Sequence, residues 1–189
     1  MESLLSDARI LRDSVSDPTI FSSVYERHLV SVASYVARRT GPELSEDLTA
    51  EVFARAFRKR SVFRDQHGSA LPWLLGIANN VIADQRRAER RRLETLRRLA
   101  TVRPVSSETS VGVLGPELVG ELLRLPDADR DTLLLVVWGE LSYAEAATAL
   151  SVPIGTIRSR VARARRRLAA AIGQPADPEV PIVNGESHA

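Results

Sequence analysis

From Pro18 onward, apolar residues return every three or four positions, the spacing of helices that each bury one face. Asp17-Pro18, a capping residue followed by proline in the first turn, predicts the start of a first helix. Phe21, Val24, Tyr25, His28, Val32 and Tyr35 then form its inward face, and Gly41-Pro42 ends it. EDLTAEVFARAFRKR predicts a second helix with Leu48, Val52, Phe53, Ala56 and Phe57 inward. The turn-forming run FRDQHGSA follows. A third helix spans about 71–92, with Pro72 in its first turn, where proline is tolerated. Leu74, Ile77, Ala78, Val81 and Ile82 make its apolar face; Gly76, Asn79, Asn80, Ala83, Arg86, Arg87 and Arg90 lie opposite.

The periodicity stops at 100–115, a stretch with Pro, Ser and Gly that reads as a flexible linker. It resumes in helices over roughly 116–124, 127–138, 142–150 and 156–171. Strand signals are nearly absent. The pattern predicts an all-α protein: an extension (1–17), a helical domain (18–99), the linker (100–115) and a second helical domain (116–172). Residues 173–189, with three prolines, three acids and neither Lys nor Arg, read as a disordered acidic tail.

The second domain contains a helix-turn-helix pattern. Ser142-Tyr-Ala-Glu145 is a capping box, after which Ala144, Ala147 and Leu150 give a small inner face. SVPIG breaks the helix, because Pro153 disfavours a helical Val152, and Thr156 is placed to cap the next one. There, Ile157, Val161, Ala164 and Leu168 fall within about 60° on a helical wheel, while all six arginines between 156 and 172 lie off that stripe. A solvated basic helix, or one docked on an acidic partner, would share the charge alone. The capped supporting helix, the Pro/Gly turn and the arginine placement favour a recognition helix in a DNA major groove.

Charge strengthens the contrast. The formal net charge is only +2, yet residues 116–150 carry seven acids and two bases, whereas 156–172 carry six bases and no acid. A second basic cluster, DQRRAERRRLETLRRL, runs from Asp84 to Leu99. Lys59 is the single lysine among 26 basic residues; a GC-rich genome explains that bias, but not where the arginines sit. Absence of cysteine excludes disulfides and thiolate metal sites. No apolar run approaches the ~18 residues of a membrane span, and the amino terminus lacks a signal pattern, so the expected location is the cytoplasm.

With these residues in place, a family resemblance is apparent. LPDADRDTLLLVVWGELSYAEAATALSVPIGTIRSRVARARRRL resembles the promoter −35 reading domain of bacterial sigma factors. DLTAEVFARAF followed by PWLLGIANNVIADQRR resembles the domain that grips RNA polymerase and opens the −10 element. Two such domains over about 18–172, joined by a short linker, resemble the extracytoplasmic-function (ECF, group 4) sigma factors.

The resemblance implies site residues. Asp47, Leu48, Glu51, Val52 and Arg55 fall where the family binds the polymerase β′ clamp helices, although Leu48 and Val52 equally suit a core. Asn79, Asn80, Ala83, Asp84, Arg86 and Arg87 occupy the helix that resembles the −10 reader, where amides suit exposed base edges and arginines suit backbone. Phe63, Arg64 and His67 lie in a loop, 63–70, that resembles the segment capturing a flipped non-template base. Core packing is the alternative for Phe63, no special role the alternative for His67, and core packing the expectation for Trp73. Thr156, Arg158, Ser159, Arg160, Arg163 and Arg166 form the −35 contact set. Gly76 and Asn79 stand where the family often has basic residues, and Ser151 where it usually has glycine. Fully extended at about 3.3 Å per residue, the linker spans roughly 50 Å, about one and a half duplex turns of ~34 Å.

The implied partners are core RNA polymerase (β′ clamp helices and β subunit), promoter DNA as duplex and as melted non-template strand, and an anti-sigma factor. No small-molecule substrate or cofactor is implied, and the free chain is expected to be a monomer. Two rival classes give different expectations. A stand-alone helix-turn-helix regulator would need a dimerisation seam, and no long heptad pattern is present. An enzyme would need converging chemistry, whereas His28, His67 and His188 are scattered and no HExxH, phosphate loop or GxSxG occurs.

Overall fold

The computed structural model describes residues 5–99 and 116–171. The chain divides into two units between Gly112 and Val113, and every described secondary element is helical. The expected linker at 100–115 and tail at 173–189 lie outside the described residues.

The first unit holds a helix that the apolar spacing does not reveal. α1, Asp7–Asp13, is capped by Ser6, whose side chain accepts from the Arg9 N–H, and it buries Ile10 and Leu11. Residues assigned to an extension are therefore part of the unit's core. Seven residues are too few to display a period, which is why the pattern misses them. Asp17 caps as expected, accepting from the Thr19 N–H at 3.0 Å, but Pro18 opens a single 3₁₀ turn, Pro18–Phe21. α2, Ser22–Thr40, begins only afterwards.

α2 buries Val24, His28, Val32, Tyr35, Val36 and Arg39, and ends where Gly41 takes φ 80°. α3, Pro42–Lys59, buries Thr49, Val52, Phe53 and Ala56. Tyr25 stays at the edge, 40% exposed, with its ring against Phe53 at 4.7 Å between centroids. α4, Leu71–Leu99, continues beyond the expected end at 92. It packs on both α2 and α3, so its buried arc widens past the predicted face to include Leu75, Gly76 and Asn79. Asp7 ties α1 to this bundle: its carboxylate accepts from Arg27 and His28 of α2 and from the Ala70 N–H. Burial pushes the Asp7 pKa up, but the bonds from His28, Ala70 and Arg27 outweigh it and hold it at about 2. The stabilisation from this lowered pKa is complete above about pH 4 and is lost as the pH falls towards 2.

The second unit comprises α5 (Pro116–Arg124), α6 (Asp127–Val137), α7 (Tyr143–Leu150) and α8 (Ile154–Ala171). Leu122, Leu125, Leu133 to Val136, Leu141, Ala146, Ile157, Val161 and Ala164 form its core. The Ser142–Glu145 capping box is present, with Ser142 N–H donating to Glu145 Oε2 at 2.8 Å. The inner face of α7 differs from expectation. α7 contacts both α6 and α8, so burial centres on Ala146; Ala144 is exposed, and Ala147 and Leu150 are half-buried. α8 starts at Ile154, and the Thr156 N–H donates to the Pro153 carbonyl at 2.8 Å. Thr156 is thus in the first turn rather than the cap.

Between α7 and α8, Ser151 sits at φ 53°, ψ 45°, and the Val152 N–H closes back on Ala147 O at 3.0 Å. This left-handed residue ends the helix in the geometry that glycine adopts without penalty. Ser151→Gly is expected to stabilise the second unit by about 0.5–1 kcal/mol, whereas Ser142→Ala should cost about 1 kcal/mol through loss of the cap. Both are read by differential scanning calorimetry of the full chain.

Candidate nucleic-acid and polymerase surfaces

α8 places its apolar stripe against α6 and α7 and turns the remainder outward. Ile157, Val161 and Ala164 are buried; Arg158, Ser159, Arg163, Arg166 and Arg167 are exposed, and Thr156, Arg160 and Arg165 are half-buried. The Ser159 hydroxyl donates to the Thr156 carbonyl at 3.0 Å. The result is a cationic surface on a helix-turn-helix whose first helix is capped by the Ser142–Glu145 box.

One predicted member of that surface has another task. Arg163 forms a fork on Asp129 of α6, with Nε donating to Oδ2 at 3.0 Å and Nη2 to Oδ1 at 2.8 Å. The Asp129 side chain is only 4% exposed. Hydrogen bonds from Arg163, outweighing burial and aided by Arg160 and Arg167, hold its carboxyl below the usual range. Arg163 is therefore a tie between α8 and α6 while its side chain remains 48% exposed. A helical wheel shows that Arg163 faces away from the stripe, but it cannot show that a carboxylate 34 residues earlier meets it.

In the first unit, the predicted −10 residues separate. Asn79 is buried, and its Oδ1 accepts from Arg39 Nη1 at 3.1 Å; Arg39 also donates to the Tyr35 hydroxyl. Asn79 joins α4 to α2 and does not face solvent. Asn80 and Arg87 are exposed, and Ala83 and Arg86 half-buried. In the loop before α4, Phe63 packs its ring on Trp73 at 5.1 Å, both half-buried. Arg64 is exposed and His67 half-buried. Asp65 Oδ1 shapes this loop by accepting from the His67 and Gly68 N–H groups, at 3.2 and 2.7 Å. Gly68, at φ 72°, completes the turn.

On α3, Asp47 is exposed and Leu48 half-buried, but Val52 is fully buried and belongs to the core, so it is not a surface contact. Glu51 and Arg55 belong to a charged ladder. Arg55 Nε donates to Glu51 Oε1 at 2.6 Å and Nη1 to Asp84 Oδ2 of α4 at 2.7 Å; Arg58 also reaches Glu51, and Arg87 reaches Asp84. Arg55 is the leading cause of the lowered pKa of both Glu51 and Asp84. Such partly exposed pairs contribute little stability; their effect is to hold the side chains of two helices in one arrangement. The Glu51–Arg55 pair is visible in the i,i+4 spacing, whereas Asp84 is not.

These placements separate ties from free surface. Asn79→Ala is expected to cost the first unit about 1–3 kcal/mol by removing an acceptor from buried Arg39, while Asn80→Ala stays within about 0.5 kcal/mol. Thermal unfolding of the full chain measures both. Arg163→Ala should lower the melting temperature of the second unit, because it strands the Asp129 carboxylate. Arg158→Ala should leave it unchanged. Removing Asp129 together with Arg163 should lower it by less than the sum of the single effects, a coupling that a double-mutant cycle resolves.

The chain matches two family models, Sigma-70 region 2 over residues 24–92 and Sigma-70 region 4 over residues 117–168. It is 37% identical over 138 residues to the ECF RNA polymerase sigma factor SigC of Mycobacterium tuberculosis (strain CDC 1551 / Oshkosh), covering 72% of this chain and 74% of that one. It is 32% identical over 171 residues to SigK of Mycobacterium tuberculosis (strain ATCC 25618 / H37Rv), covering 86% and 90%. Among solved structures it shares a fold with the sigma factor RpoE of Bartonella quintana, crystallised with the anti-sigma factor NepR. That match has a TM-score of 0.58, 24% identity and coverage of 78% of this chain and 95% of that one. It also shares a fold with CnrH, solved with the cytosolic domain of CnrY, at a TM-score of 0.61, 21% identity and coverage of 88% and 97%. Two helical units, one carrying a helix-turn-helix with an arginine-coated second helix, agree with these relationships, and the chain belongs to the ECF RNA polymerase sigma factors, which direct promoter-specific initiation of transcription.

Proposed function

We propose that this chain is a group 4 sigma factor whose second unit reads the −35 element with α8 while the first unit grips polymerase and opens the −10 element. The observation that carries the proposal is the outward arc of α8. Arg158, Ser159, Arg160 and Arg166 face away from the buried stripe, with Thr156 in the first turn, on a helix that carries no acid. Guanidinium groups so placed can neutralise phosphates, and those in the first turns can reach base edges in the major groove.

In the first unit, Asn80 offers an exposed amide to a separated strand, with Ala83 beside it and Arg86 and Arg87 nearby to hold backbone. Phe63, Arg64 and His67 supply flat and cationic surfaces on which an unstacked base can rest. Asp47, Leu48, Glu51 and Arg55 form the surface proposed for the β′ clamp helices, with further contacts to the β subunit. Residues 18–99 and 116–172 are the functional domains, joined by 100–115, and α1 adds to the first.

The chain acts in the cytoplasm, as a monomer when free; among the described residues no helix is long and apolar enough to cross a membrane. An anti-sigma protein that masks the polymerase-binding surface is the proposed regulator, by analogy with the complexes of RpoE and CnrH.

Reconstitution tests this reading. The chain plus core polymerase, given a library of randomised promoters, is expected to start RNA synthesis at one defined class of sequence, and core alone at none. Replacing Arg158, Arg160 and Arg166 with alanine should weaken promoter binding and reduce the log–log salt slope by about one for each phosphate no longer neutralised. No selected promoter, or tight duplex binding by a dimer without polymerase, overturns it.

A further inference from the structure

α1 precedes residues 24–92, the stretch that matches Sigma-70 region 2, yet its polar groups are tied to both ends of the loop before α4. At one end, the Ala70 N–H donates to Asp7 Oδ2 at 2.7 Å, and the Ala70 carbonyl accepts from Leu74 in the first turn of α4. Ala70 and Asp7 are both buried, at 0% and 3% exposure, so water does not substitute readily for this bond. The same carboxylate oxygen accepts from His28 Nε2 at 2.6 Å and the other accepts from Arg27, so Asp7 is itself held from two directions.

Just before the other end, in the 3₁₀ turn Arg60–Val62 between α3 and the loop, Arg60 Nε donates to the carbonyl of Ser14, the residue that caps α1, at 3.1 Å. The Arg60 guanidinium also bonds the Phe57 carbonyl and lies 3.9 Å from the centre of the Phe57 ring. Between these two ties, Leu11, Arg12 and Val15 face Phe63, Arg64 and Asp65 across a cavity of about 350 Å³. The helix and the loop are two walls of one space.

We propose that α1 belongs to the promoter-opening device, and that Asp7 is a positioning residue that holds loop 63–70 in the conformation that receives an unstacked base. The inference rests on the reading of that loop as a base-capturing segment. A preorganised loop does not have to be ordered at the moment a base leaves the stack, so more of the capture energy is available to hold the strands apart. Loss of the Asp7–Ala70 bond removes the tie between α1 and the carboxyl-terminal end of the loop, leaving only the Arg60 contact to α1 and the Ala70–Leu74 bond to α4.

The test is a cycle between protein and DNA, using full chain, core polymerase and the promoter found by reconstitution. Abasic residues are placed at each position of the non-template −10 strand in turn, and open complex is scored by permanganate reactivity. Wild-type holoenzyme is expected to lose opening at one position, which identifies the captured base. Asp7→Ala is expected to lower opening on intact DNA about tenfold, with core affinity unchanged. On DNA abasic at the captured position, it should lower opening further by less than about twofold.

A defect of equal size on intact and abasic DNA means that Asp7 acts elsewhere and overturns the inference, as does an intact-DNA rate equal to wild type. Indifference of the wild type to every abasic position overturns the base-capture reading itself, and with it this inference. Circular dichroism confirms folding at the assay temperature. If Asp7→Ala does not fold, the similarly sized Asp7→Leu, which offers no acceptor to the Ala70 N–H, replaces it and must show the same dependence on the captured base.

Discussion

Burial of Ile157, Val161 and Ala164 sets the rotation of α8 about its own axis, and the outward face of that helix follows from that rotation. A helix places side chains at fixed angles, so choosing which stripe goes inward also chooses which side chains meet solvent. α6 and α7 supply the seat for that stripe, and the left-handed Ser151 sets the path by which the chain enters α8. The arginines need no further instruction. They face outward because the apolar positions do not.

The first unit applies the same constraint with a different outcome. α4 is gripped by both α2 and α3, so its buried arc is wider than the stripe of large apolar residues. Asn79 falls inside that arc, and the amide is kept there by Arg39 rather than offered to a ligand. Asn80, one step of about 100° further round, is exposed. Two adjacent asparagines thus have opposite surroundings, decided by neighbours that lie far away in the chain.

Arginine serves this protein in two ways. Arg27, Arg39, Arg55, Arg60 and Arg163 direct donors at acceptors on other elements and act as ties. The planar fork suits this use, because one side chain can bond two acceptors in fixed directions. Arg158 and Arg166 stand exposed on α8, available to phosphates. Composition counts both groups alike, so a basic cluster in the sequence overstates the charge free to bind nucleic acid. The Arg163–Asp129 fork shows how: a guanidinium on α8 is partly neutralised by a buried carboxylate of the helix beneath.

Much was legible in the sequence because its causes are local. Helical spacing, the Ser142–Glu145 box, the Pro/Gly turn and the segregation of arginine from the apolar stripe depend on residues within a few positions of one another. They determined an all-α chain, the helix-turn-helix and the identity of its outward face. Tertiary structure alone decided the rest: that Val52 is core, that Asn79 and Arg163 are ties, that Asp84 completes a ladder with Arg55, and that α1 reaches the loop through Asp7 and Ser14. Each of these joins groups at least 29 residues apart, or depends on how many helices surround a position. Periodicity reports that a face is buried; only packing determines how wide that face is and which acceptor waits across it.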